Sequence, residues 1–212
     1  MSRLAPLSLA AAGVLFLLYP AVRPWTDETT VDGAREAMAS GAWVAAHAFA
    51  MLGFILVPLA LLALRESVGL APMVVMSVGA GLVLPYYGAE DFGLHAAATN
   101  GGDLLAIAEA TRYNPVAITM FGAGLLLLAV GAIMVAVAIW RTGALPRTSG
   151  LLFAAGFALF LPQFFAPAPV RIAHGVLMLA GLLWLAVALW RASPRPAKAP
   201  AAGAQPAAPA HG

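Results

Sequence analysis

Hydrophobic positions in this chain fall in six long, continuous runs separated by short polar segments. Each run approaches the ~20 apolar residues that a helix needs to cross the hydrocarbon core of a bilayer. None shows the two-residue alternation of a barrel strand, so we predict an all-α integral membrane protein, a six-transmembrane-helix bundle. The predicted spans extend approximately over residues 5–22, 42–64, 70–88, 116–140, 150–165 and 172–190.

A weak repeat relates the predicted spans two by two. Odd spans carry a glycine followed by a proline, and even spans end in a large apolar residue followed by arginine. The second and sixth spans match most closely, because His47 and His174 each follow an alanine and precede a methionine by four residues. The pattern indicates three repeated helical hairpins, and repeated membrane folds often place their site between the repeats.

Composition agrees with a membrane protein and excludes several kinds of site. Of the 212 residues, 62% are hydrophobic and 9% are charged, whereas soluble domains carry about 25% charged residues. The chain has no cysteine, which excludes disulfides, thiolate metal sites and cysteine nucleophiles. Basic residues are scattered along the chain, so no nucleic-acid partner is predicted.

Charge distribution predicts the orientation in the membrane. With a cytoplasmic N-terminus, most basic residues lie inside and every acidic residue except Glu66 lies outside, in accord with the positive-inside rule. The two long outer loops are predicted to hold short helices, within residues 26–40 and 104–113. The layout and alanine-rich composition resemble those of small membrane proteins of high-GC bacteria, which implies a multi-pass protein of the cell (inner) membrane.

The chain divides into two parts in this interpretation. Residues 1–191 form the transmembrane domain. Residues 192–212 are rich in alanine and proline and show no apolar periodicity, so we predict a disordered cytoplasmic tail. Both termini are then cytoplasmic.

The end of the third span is the densest polar stretch in the chain. Tyr87, Asp91 and His95 recur at intervals of four and share one helical face, which predicts a hydrogen bond between Asp91 and His95. Glu90 points to another side, over Tyr86. Such a carboxylate–imidazole pair at the mouth of a bundle can relay a proton or bind a cation. The alternative is an interfacial segment, where tyrosines and acidic residues are common.

Two histidines inside the spans form a second group of interest. His47 is followed at four residues by Met51, and His174 by Met178. Imidazole and thioether groups are ligands of haem iron and of Cu(I), so His47 and His174 could hold one haem b or copper ion. The alternative is that the histidines hydrogen-bond neighbouring helices and that the methionines are apolar filling.

Three functions remain open at this stage. The first is binding of a small molecule or cation in an outward-facing polar vestibule. The second is a membrane redox protein with one haem b or copper. The third is a membrane-embedded enzyme acting on a lipid-soluble substrate, with Asp91 or Glu90 as general acid or base and His95 as a further catalytic candidate. Membrane lipid is a predicted partner in all three. The predicted vestibule is lined by Tyr86, Tyr87, Glu90, Asp91, His95, His47 and His174.

Overall fold

The computed structural model describes residues 3–192, and these residues are helical apart from short turns. The predicted tail lies outside the described residues, except for Ala192, which ends the last helix. Three stretches have another helical winding: a 3₁₀ turn at Leu62–Leu64, a π-helical turn at Ala89–Gly93 and a 3₁₀ helix at Pro162–Phe165. The helices are α1 Leu4–Val22, α2 Val31–Met38, α3 Gly41–Leu61, α4 Arg65–Val68, α5 Ala71–Gly88, α6 Leu94–Asn100, α7 Leu104–Arg112, α8 Pro115–Thr142, α9 Arg147–Ala158 and α10 Ala168–Ala192.

Five helical segments of the described chain are long and apolar enough to cross a membrane. They make this a multi-pass helical membrane protein. They correspond to the first four and the last of the six predicted spans. The segments are Leu4–Val22, Gly41–Val68, Ala71–Asn100, Pro115–Thr142 and Ala168–Ala192.

The predicted span over residues 150–165 is interrupted, so the count of six spanning helices stays a prediction. Helix α9 has 12 residues and ends at Ala158. Pro162 lies four residues later and has no N–H to donate to the Ala158 carbonyl, so one helical hydrogen bond is missing where the helix ends. Helices α1, α3 and α5 each continue through an internal proline, so Pro162 marks the break without being its sole cause. After a turn, the 3₁₀ helix Pro162–Phe165 leads the chain on to α10.

Six helices pack as a closed ring. Going round it, α3 contacts α1, α1 contacts α10, and α10 contacts α9. The ring continues from α9 to α8 and from α8 to α5, and it closes where α5 meets α3. Helices that follow one another in the chain are therefore neighbours in space, as short connections between membrane helices favour. The predicted repeat of three hairpins is not tested by this arrangement.

Aromatic side chains fill the space at the centre of the six helices. The ring centroid of Phe16 on α1 lies 5.0 Å from that of Phe54 on α3 and 6.0 Å from that of Phe157 on α9. Phe160 lies 5.6 Å from Phe16, and Tyr87 lies 5.5 Å from Phe54. These five side chains are buried. They form what we call the aromatic plug, which brings together side chains from α1, α3, α5 and α9.

Three short helices cover one end of the ring, which we call the capped end. Helices α2, α6 and α7 pack there around their own apolar cluster, which includes Trp43 and Met38. Thr30 caps α2 by accepting a hydrogen bond from the Gly33 N–H, and Asp103 caps α7 in the same way. The two short helices predicted in the long loops, α2 and α7, are thereby confirmed.

Glycines allow α5 and α8 to approach closely. A Cβ atom added at Gly79 would lie 2.8 Å from the Gly124 carbonyl oxygen and 2.9 Å from the Leu128 nitrogen. Both are backbone atoms of α8, which cannot move aside without separating the helices. Small residues at such contacts allow dense packing where lipid supplies no hydrophobic driving force.

We predict that Gly79→Ala destabilises the protein by about 1–3 kcal/mol, because the added methyl group overpacks the contact of α5 with α8. Gly81→Ala is the matched control on the same helix, since a Cβ there meets no atom within 4 Å. Unfolding in dodecyl maltoside, followed by circular dichroism, compares the two variants. Equal stability of the two would show that this contact does not limit packing.

Candidate functional site

A cavity of about 530 Å³ lies at the capped end, above the aromatic plug. Its walls come from α1, α3, α5, α7, α8 and α10, with the loop after α1 and the 3₁₀ helix before α10. Its volume lies within the ~300–1,000 Å³ that small-molecule sites occupy. The wall combines aromatic rings with three arginines and two glutamates.

A chain of ion pairs forms one side of the cavity. Arg112 at the end of α7 binds Glu90 through two hydrogen bonds, from Nε to Oε1 at 2.6 Å and from Nη2 to Oε2 at 3.0 Å. The same Nη2 donates to Oε2 of Glu28 at 2.8 Å. Arg23 completes the chain by pairing with the other oxygen of Glu28. Every carboxylate oxygen of Glu28 and Glu90 is thereby occupied by a guanidinium group.

The ion pairs shift the pKa values of Glu28 and Arg112, which both lie outside the spanning segments. Burial by itself would raise the pKa of Glu28, but the charges of Arg23 and Arg112 outweigh it and hold that pKa below its usual value. Burial would likewise lower the pKa of Arg112, but its bonds to Glu90 and the charge of Glu28 raise it. Both groups are therefore charged at neutral pH.

Arg171 is the third guanidinium on the cavity wall, and it has no carboxylate partner among residues 3–192. Its Nε donates to Oε1 of Gln163 at 3.1 Å, and its Nη2 donates to the Tyr19 hydroxyl at 3.4 Å. The guanidinium also lies 4.8 Å from the centroid of the Trp25 ring and 5.0 Å from that of Phe164. These neutral partners orient the cation without neutralising it.

His47 and Tyr87 present further polar atoms to the cavity. Nδ1 of His47 donates to the Trp43 carbonyl at 2.8 Å, which leaves Nε2 as the acceptor nitrogen of the neutral ring. The Tyr87 hydroxyl is buried and has no hydrogen-bond partner in the described chain. Its ring lies 5.7 Å from that of Tyr19. A buried hydroxyl without a partner is costly unless a ligand or water satisfies it.

Four predicted site residues lie on the cavity wall: His47, Tyr86, Tyr87 and Glu90. Tyr86 stacks on Phe121 of α8, with 4.2 Å between ring centroids. Sequence spacing placed Tyr86 and Glu90 close together, and the structure agrees, since both line the cavity. The partner of Glu90 was not foreseen, because Arg112 lies 22 residues further along the chain.

Asp91 and His95 do not line the cavity, and the predicted hydrogen bond between them is not formed. Nδ1 of His95 donates instead to the Met38 carbonyl at 2.8 Å. Asp91 is fully buried, and neither of its oxygens has a hydrogen-bond partner in the described residues. The π-helical turn Ala89–Gly93 explains the difference, because its wider winding moves residues four apart off a common face.

His174 also lies away from the cavity wall. Its Nε2 donates to the Gly156 carbonyl at 2.8 Å, and its ring lies 5.2 Å from that of Phe160. Met178 is buried with its sulfur over Gly156, so both side chains serve the contact of α10 with α9.

The proposed histidine pair is divided between two surroundings. His47 is on α3 and His174 on α10, and α1 lies between these helices in the ring. Met51 is half-buried and packs against the main core. A haem or copper site formed by these four residues stays a prediction, to which their placement adds no support.

Arginines were the site residues that sequence reasoning missed. Arg23, Arg112 and Arg171 all lie on the side of the membrane predicted to be outside. The positive-inside rule makes basic residues there less frequent than on the cytoplasmic side. Their presence on that side was the signal that could have identified them.

No family model, no curated protein and no solved structure matches this chain. Within residues 3–192, histidine and acidic residues form no group of three or more that could hold a metal ion. Function must therefore be argued from the cavity itself.

We predict that the stabilising effect of Glu28 depends on pH. The folded state holds the pKa of Glu28 below its unfolded value of about 4.5. The contribution of Glu28 to the free energy of unfolding is therefore complete above pH ~4.5 and is lost as the pH falls through the pKa of Glu28 in the folded state. At neutral pH, Glu28→Gln should destabilise by about 1–3 kcal/mol, because it weakens two charge-assisted hydrogen bonds.

Denaturant unfolding from pH 7 down to pH 3 measures this difference between the wild type and Glu28→Gln. The gap should narrow at the acid end, because the unfolded wild-type chain takes up a proton at Glu28 more readily than the folded one. Glu36→Gln, which alters an exposed carboxylate on α2, is the control. A gap that persists unchanged at pH 3 would contradict the ion-pair explanation.

Proposed function

We propose that this membrane protein binds a small organic molecule in the cavity at the capped end, and that this end faces the outside of the cell. One observation supports this most directly. The cavity has the volume of a ligand site and a wall that mixes aromatic rings with buried polar groups lacking partners. Tyr87 of the aromatic plug is part of this wall.

A cation is a weaker candidate for the ligand than an organic molecule. All four carboxylate oxygens of Glu28 and Glu90 accept a hydrogen bond from an arginine, so the negative charge that would attract a cation is already compensated. Asp91 has free oxygens but lies off the cavity wall. The uncompensated charge on the wall is the positive charge of Arg171.

The catalytic alternative receives less support from the same contacts. Glu90 is held by two hydrogen bonds from Arg112, so its carboxylate is already engaged in an ion pair. Asp91 and His95 do not line the cavity and do not bond each other. The predicted pair of Asp91 and His95 is therefore not available to a molecule in the cavity.

Blocking the cavity should abolish binding. Gly122 of α8 lies on the wall, and a Cβ added there meets no atom within 4 Å, so Gly122→Phe can fill the space without disturbing the backbone. We predict that 2-naphthoate binds the wild type saturably in nanodiscs, measured by isothermal titration calorimetry, and that Gly122→Phe loses this binding.

Gly81→Phe is the matched control, because its side chain enters open space on the exposed face of α5. It should bind 2-naphthoate as the wild type does. Saturable binding that survives in Gly122→Phe would place the ligand outside this cavity and contradict the proposal.

Single cysteines test the proposed orientation, since the chain has none of its own. Ala110→Cys at the capped end and Ala144→Cys at the opposite end both replace exposed alanines. We predict that a membrane-impermeant maleimide added to intact cells labels the first variant only. Labelling of the second alone would reverse the orientation.

A further inference from the structure

We infer that the cavity takes an organic acid, with one anionic group paired to Arg171 and a flat apolar body against the aromatic wall. The inference rests on the proposed binding function and adds the chemical class of the ligand. Both parts of that class follow from contacts on the cavity wall.

Charge on the wall is unbalanced by one unit. Arg23 and Arg112 share Glu28 and Glu90 between them, which accounts for two guanidinium groups and two carboxylates. Arg171 is the remaining guanidinium, and its partners are an amide oxygen, a hydroxyl and two aromatic rings. A half-buried cation without a counter-ion favours an anionic ligand over a neutral or cationic one.

Hydroxyl donors lie beside this cation. Tyr19 receives a hydrogen bond from Arg171, and the Tyr19 ring lies 5.7 Å from the Tyr87 ring. The Tyr87 hydroxyl lines the cavity, is buried and has no partner. A planar carboxylate has two oxygens, so it can accept from the guanidinium and from a tyrosine hydroxyl together.

The position of Arg171 on its helix supports the same conclusion. It is the fourth residue of α10, at the end where the helix dipole is positive. A cation is unfavourable there, whereas an anion is stabilised. An acidic group bound to Arg171 would offset this repulsion, which gives the arginine a reason for its place.

The aromatic part of the wall fits an apolar, flat molecule. Tyr86 and Phe121 are stacked with an interplanar angle of 20°, and Phe164 lies 5.4 Å from Phe121. At the rim, Ile118 and Phe165 line the cavity and are exposed on the apolar surface of the bundle. An acid with a lipid-soluble body can therefore enter from the bilayer as well as from water.

Three isosteric probes distinguish the charge of the ligand at pH 7.5: 2-naphthoate is anionic, 2-naphthamide is neutral and 2-naphthamidine is cationic. In neutral phosphatidylcholine nanodiscs, the wild type should bind the anion at least about tenfold more tightly than the neutral probe, and the cation most weakly. Arg171→Gln should abolish the preference for the anion while retaining the affinity for the amide.

Arg35→Gln is the matched control, since it removes the same charge from an exposed site on α2 at the same end of the protein. Arg35→Gln should still bind 2-naphthoate more tightly than 2-naphthamide. Should Arg171→Gln fail to fold, Tyr87→Phe serves in its place, because it removes one hydroxyl group beside Tyr19 and leaves the aromatic ring. It should weaken binding of 2-naphthoate.

Two results would overturn the inference in different ways. Equal binding of all three probes, blocked by Gly122→Phe, would leave the binding function intact and reject the acid. If none of the three probes binds, both the binding function and the organic acid as its ligand are rejected. Repeating the titration in phosphatidylglycerol nanodiscs identifies the source of the anion: competition assigns the site to an acidic lipid, and unchanged affinity assigns it to a free organic acid.

Discussion

Arg112 joins the parts of this protein that the membrane alone does not hold together. It pairs with Glu28, which lies in the loop after α1, and with Glu90, which lies in the π-helical turn after α5. Partly buried charges are costly unless they are paired. The network thus fixes the cap of short helices on the ring and the wall of the cavity. It also keeps both glutamates from neutralising Arg171.

The helical spans could be predicted from the sequence because the bilayer imposes one strong requirement on backbone and length. Apolar runs identified the five long spanning segments, and the two long outer loops were predicted to hold short helices. The interrupted segment was harder. Its apolar run continues through Pro162, whereas the helix ends at Ala158, and mean hydropathy carries no information about that break.

The candidate site was predicted only in part, for two physical reasons. Spacing rules assume regular winding, and the π-helical turn places Asp91 and His95 in separate surroundings after a stretch where the spacing looked favourable. Pairing across the fold is also invisible to local patterns, since Glu28 and Arg112 are 84 residues apart. His47, Tyr86, Tyr87 and Glu90 were found because each is a polar residue at the end of an apolar run.

Aromatic plug, ion-pair chain and lone arginine have complementary roles in the proposed site. The plug packs the helices together next to the cavity, the paired charges form one side of its wall, and Arg171 supplies the uncompensated positive charge. A structure of the protein in complex with 6-bromo-2-naphthoate tests this arrangement directly, because the bromine gives the orientation of the probe. We expect the carboxylate at Arg171 and the bromine beside Tyr86 and Phe121. A probe bound outside the cavity, or bound with its carboxylate away from Arg171, would contradict it.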